Sequence, residues 1–188
     1  MYELVQVSEK CYYINCPAKI GVYVADGENV YLVDSGNDKD AGRKVRQILD
    51  KNGWHLAAIL NTHSNADHIG GNRYLQGQTG CKVYSGGIEA AFTRHPVLEP
   101  SFLYGGYPCK ELRHKFLMAQ ESDVTDFSEE GFPKEIEVIP LPGHFYCVTV
   151  IGTLVDLTYE FVIDSQLLLF LSVDHNWIVY FYLLYQRI

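Results

Sequence analysis

Two imidazoles, a carboxamide and a carboxylate crowd together in His63, Asn65, Asp67 and His68, within the run Asn61-Thr62-His63-Ser64-Asn65-Ala66-Asp67-His68. Imidazole nitrogen and carboxylate oxygen are donors that borderline divalent metals accept, and a turn at a strand end can aim such groups into one space without forcing them into a core. His144, in Pro142-Gly143-His144, offers a third imidazole from a distant turn. The same residues also read as a solvated turn, with Asn65 facing outward and both histidines hydrogen-bonded rather than metallated. Residue type and spacing leave both readings open.

Other chemistries find less support. There is no G-x-x-x-x-G-K-[ST] and no G-x-G-x-x-G run, so a nucleotide-phosphate cradle is not indicated. The five cysteines, Cys11, Cys16, Cys81, Cys109 and Cys147, are odd in number and include no C-x-x-C pair. Buried, inert thiols in a reducing compartment are the expectation, rather than a disulfide scaffold or an activated nucleophile. His55, His95 and His114 are expected to be solvated or locally bonded.

The polar cluster needs a scaffold, and the apolar periodicity supplies one. Short strands are expected over residues 3–7, 11–15, 19–25 and 29–33, with Pro17 and Asp26-Gly27 in the turns. Ala41, Val45, Ile48 and Leu49 recur at helical spacing until Gly53. The apolar strand 56–60 then ends at the cluster, where layered α/β folds commonly place ligands. A helix over 69–76, a strand over 82–84 and a helix over 89–93 follow. Residues 94–126 lose the pattern and read as a long excursion, in which Phe102, Tyr104 and Tyr107 either wall a pocket or pack into a core. Glu99 and Lys110 there are candidates to orient a polar group. A strand over 135–141 delivers His144.

These motifs together resemble the metallo-beta-lactamase superfamily, whose leading motif is H-x-H-x-D-H; this chain has His63-x-Asn65-x-Asp67-His68, with one ligand position changed. Val33-Asp34-Ser35-Gly36, Ile69-Gly70-Gly71-Asn72 and Leu141-Pro142-Gly143-His144 extend the likeness from Tyr12 through His144. The resemblance implies an α/β (α+β) αββα sandwich, truncated or incomplete in its C-terminal half. It places His63, Asn65 and His144 around one metal and Asp67 and His68 at a neighbouring one, with Asp164 in Phe161-Val162-Ile163-Asp164-Ser165 bridging them. One or two zinc ions are implied, with manganese or iron as alternatives. Asn65 weakens the first site, because an amide oxygen carries no charge and suits zinc less well than imidazole. Asp67 would orient the activated water and receive its proton, which makes it the candidate catalytic residue. Asp34, Asn61 and Thr62 are expected to brace the loop, and Gly70 and Gly71 to permit a tight strand-to-helix junction. The implied activity is hydrolysis of a small ester, thioester, lactone or related substrate. The competing expectation is a noncatalytic, metal-stabilised or ligand-binding protein with a degenerate hydrolase site.

Length and composition agree with a single domain: 188 residues with 47% hydrophobic content supply a sizeable core. Residues 1–150 form the well matched portion and 151–188 an atypical hydrophobic segment, through which a homo-oligomer is expected. A formal charge of -8 repels a phosphate backbone, so no nucleic-acid partner is expected. Glu3, Glu9 and Lys10 interrupt any signal-like stretch, and no apolar run reaches the roughly 20 residues of a membrane span. A cytoplasmic location without membrane contact is the resulting expectation.

Overall fold

The computed structural model describes residues 2–141, 148–155 and 158–162. His144, Asp164 and Cys147, and most of the hydrophobic segment expected to mediate association, lie outside them.

Strands β1 (Glu3–Gln6), β2 (Cys11–Asn15), β3 (Ile20–Val24) and β4 (Asn29–Val33) form an antiparallel meander. At β4 the sheet changes character. Strands β5 (His55–Leu60), β6 (Lys82–Ser85) and β7 (Thr125–Asp126) add in parallel, giving seven strands in chain order. Parallel neighbours require crossovers, here provided by helices α1 (Lys39–Lys51), α2 (Ala66–Ile69), α3 (Asn72–Thr79), α4 (Gly87–Arg94) and α5 (Leu98–Tyr104). Strands β8 (Ile136–Leu141), β9 (Val148–Val155) and β10 (Thr158–Val162) form a separate antiparallel sheet.

Alternation along the strands sorts the core into two sides. Ile20, Val22, Val30, Leu32, Ile59 and Val83 face Val45 and Leu49 of α1 and Leu75 of α3. Tyr23, Val33, Ala58, Leu60 and Tyr84 face the other way, against Ile136 of β8 and partly buried Phe127 and Phe132. This arrangement of helices, sheet and second sheet agrees with the expected sandwich.

Helix α1 begins where Asp38 accepts the Ala41 N–H at 2.8 Å, a side-chain N-cap, and stops at Asn52 before Gly53, whose φ is +70°. The single helix expected over 69–76 is instead two, because Gly70 and Gly71 sit against backbone. A Cβ on Gly70 would lie 2.3 Å from the Asn37 carbonyl carbon, and one on Gly71 2.3 Å from the Ser35 oxygen. The 94–126 segment is also more ordered than its periodicity suggests, since it contains α5, a 3-10 turn over Lys110–Leu112 and β7. No helix among the described residues is long and apolar enough to cross a membrane.

Candidate metal centre

The carboxyl ends of β4 and β5 lie side by side, and each continues into a polar loop. From β4 comes Asp34, a buried residue with φ of +64°, the left-handed region that Asp tolerates better than most side chains. That turn sends its carboxylate across to the loop after β5. One Asp34 oxygen accepts the Thr62 N–H at 2.9 Å. The other accepts the Thr62 hydroxyl at 2.8 Å and the His68 Nδ1–H at 2.7 Å. The bracing role expected of Asp34 and Thr62 is therefore direct. Asn61 joins them by donating its Nδ2–H to an Asp34 oxygen at 3.5 Å, and accepts the Asn72 Nδ2–H at 2.8 Å.

The loop itself is nearly inaccessible. His63 and His68 are each 1% exposed and their rings are in contact, 4.0 Å between centroids and inclined at 48°. His63 Nδ1 is 2.9 Å from the Thr62 hydroxyl. Asp67 differs, with its side chain 54% exposed and one oxygen 3.6 Å from His68 Nε2. An imidazole whose Nδ1–H is held by a carboxylate coordinates metal through Nε2, so His68 and Asp67 present donors to one region.

Asn65 is turned inward rather than out to solvent. Its Nδ2 donates to Glu99 Oε1 at 3.0 Å, while its Oδ1 is buried without a hydrogen-bond partner among the described residues. The other Glu99 oxygen accepts the Ala66 N–H at 2.9 Å. Burial pushes the Glu99 carboxyl up to about 7, reinforced by the nearby Asp67 charge and opposed by the Asn65 and Ala66 hydrogen bonds. Glu89 of α4 does similar work two residues earlier in the loop, accepting both the N–H and the hydroxyl of Ser64.

Sequence reasoning named Glu99 only as a candidate to orient a polar group and gave Glu89 no role. Neither role had a sequence signal: that Glu89 is buried with Ala90 and Thr93 on α4 is seen only in the fold. Of the two readings of Phe102, Tyr104 and Tyr107, core packing is overturned: they are 53%, 59% and 75% exposed. Cys11, Cys16 and Cys81 are buried as expected, but Cys109 is exposed. His55, His95 and His114 are exposed and remote from the cluster's hydrogen bonds.

A divalent cation suits these residues. The partnerless Asn65 oxygen, the Asp67 carboxylate beside His68 Nε2, and the carboxylate holding Nδ1 are features a cation would satisfy. Among the described residues no three His, Cys, Asp or Glu side chains make up a metal cage by themselves. The third imidazole expected at His144 and the bridge expected at Asp164 fall outside those residues.

Comparison with known proteins points the same way. The family model described as "Metallo-beta-lactamase superfamily" matches residues 16–155. A hydroxyacylglutathione hydrolase of Methylococcus capsulatus is 45% identical over 53 residues, 28% of this chain and 19% of that protein. A Bacillus subtilis protein named "Probable metallo-hydrolase YybB" is 38% identical over 61 residues, 31% of this chain and 27% of the other. The crystal structure of BJP-1, a subclass B3 metallo-beta-lactamase of Bradyrhizobium japonicum, superposes with a TM-score of 0.62 at 20% identity. It covers 85% of this chain and 60% of its own, a likeness of fold. The chain thus spans less than two thirds of each of these proteins.

Proposed function

Since the chain belongs to the metallo-beta-lactamase superfamily, we propose that it is a metal-dependent hydrolase whose centre is built on the loop between β5 and α3. His63, the Asn65 amide oxygen, Asp67 and His68 are its ligands on that loop, completed by His144 and Asp164. Zinc is the proposed metal, as one or two ions. The observation that carries this reading is the buried Asp34–His68 pair at 2.7 Å, set beside the exposed Asp67 carboxylate. Such a carboxylate–histidine pair fixes the ring tautomer and strengthens its coordinating nitrogen.

With a divalent ion bound, the centre gains a Lewis acid that makes water nucleophilic near neutral pH and polarises an acyl oxygen. The chain's own residues do the rest. Asp34 holds His68 against rotation, and Glu89 and Glu99 hold the loop backbone at Ser64 and Ala66. Asp67, the one solvent-exposed carboxylate on the loop, orients the attacking water and takes its proton. Attack at a thioester carbon breaks the carbon–sulfur bond and releases a carboxylic acid and a thiol, the thiolate taking up the proton. Small thioesters are the favoured substrates, because hydroxyacylglutathione hydrolases are among the relatives; esters and lactones follow the same chemistry.

The test combines metal content with turnover of ester, thioester and lactone substrates by wild type, His63→Ala and Asp67→Ala. Expected is loss of metal in His63→Ala and a fall in turnover of about 10²- to 10⁴-fold in Asp67→Ala. Metal-free wild-type protein under zinc- and manganese-replete conditions would overturn the proposal. Bound metal without turnover on any substrate would favour the noncatalytic reading.

A further inference from the structure

We propose that Glu99 is a positioning residue that fixes the Asn65 carboxamide with its oxygen toward the metal, making the departure from histidine at position 65 a built oxygen donor. The inference rests on the hydrolase reading above and deepens it.

A carboxamide is nearly symmetric in shape but not in chemistry: one branch only accepts and the other only donates. Whichever branch meets a metal therefore decides whether the side chain is a ligand or an obstacle. An isolated asparagine turns between the two orientations at little cost. Asn65 is not isolated. Its Nδ2 branch is bonded to Glu99 Oε1 at 3.0 Å, and its Oδ1 branch is buried with no hydrogen-bond partner among the described residues. Burying an acceptor without a partner costs about 1–3 kcal/mol, a cost that a cation would remove.

Glu99 is itself held. It is 4% exposed, and its second oxygen accepts the Ala66 N–H at 2.9 Å. A backbone N–H cannot reverse its polarity, so the side chain at position 99 must place an acceptor there. With glutamate as the carboxylate, the other oxygen is also an acceptor and selects the Nδ2 branch of Asn65. With glutamine, the oxygen must stay on Ala66, and the amide nitrogen then faces Asn65. Asn65 must turn over to accept from it, and its NH2 group is left toward the metal.

That polarity argument yields a swap experiment. Metal affinity is measured by competition with a chromogenic chelator for zinc and for manganese, with circular dichroism confirming the fold of each variant. Glu99→Gln is expected to weaken metal binding by about 10- to 100-fold, the range for loss of a group that orients a ligand. Asn65→Asp placed in the Glu99→Gln background should recover most of that loss, because one aspartate oxygen can accept from Gln Nε2 while the other faces the metal. A purely structural role for Glu99 predicts no such rescue. Wild-type affinity in Glu99→Gln, or a double variant as weak as the single one, would overturn the inference and leave the hydrolase reading standing. Failure of the wild type itself to bind metal would overturn both.

Discussion

Asp34 has few tolerable substitutes, because four donors, from Asn61, Thr62 and His68, converge on one carboxylate from a backbone at φ +64°. Asparagine accepts that backbone conformation but carries a donor on one branch, which must then confront Thr62 or His68. Asp34→Asn is therefore expected to cost about 1–3 kcal/mol in urea unfolding and to weaken metal binding about 10- to 100-fold. An unfolding midpoint and affinity equal to wild type would count against the bracing role. Position 65 predicts the opposite sign: Asn65→His should tighten zinc binding, since imidazole is the better zinc donor. Chelator competition reads that change, and equal affinity would refute the view of Asn65 as a weakened ligand.

Glycines separate the elements that only connect from those that fit tightly. Gly70→Ala would drive a Cβ to 2.3 Å from the Asn37 carbonyl carbon, where the obstacle is backbone, and should destabilise by about 1–3 kcal/mol or more. Gly77, inside α3, has nothing within 4 Å of its Cβ direction, so Gly77→Ala should stabilise by roughly 0.5–1 kcal/mol. Paired urea midpoints check both signs. The same contrast explains what the sequence discloses. β2 and β4 are legible at their full lengths because their apolar residues follow the pleat and their turns carry Pro17 and Asp26-Gly27. The break between α2 and α3 is not legible, because the Gly70-Gly71 pair is explained only by the β4 loop packed against it. In the site, His63, Asp67 and His68 announce themselves by residue type and spacing. Glu89 and Glu99 do not, since each acts on the loop from more than two dozen residues away through backbone N–H groups that have no sequence signature.

Over the whole molecule, the parallel half of the large sheet gathers loops at the carboxyl ends of β4 and β5, and the buried thiols lie elsewhere. Cys16 is 5% exposed and burial pushes its thiol up from 9.0 to about 11. A folded-state value above the unfolded one means that its contribution to stability is fully present below about pH 9 and is lost as pH rises through 11. Tyr31 acts in the same sense, pushed up from 10.0 to about 12 by burial and by the Glu135 hydrogen bond. Urea midpoints should fall more steeply above pH 9 than between pH 8 and 9, beyond the range in which Glu99 still titrates, and Cys16→Ser should show a shallower fall. At pH 7.5 a thiol reagent should modify Cys109 well before Cys16 or Cys81; comparable rates would show that the core opens readily.

The two carboxylates that grip Ser64 and Ala66 from α4 and α5 have a consequence in time as well as in space. Amide protons at those positions should exchange with solvent deuterium as slowly as those of interior strands even before any ion arrives. The loop would then wait in its loaded shape, and capture would be governed by diffusion and dehydration of the ion, not by rearrangement of the protein.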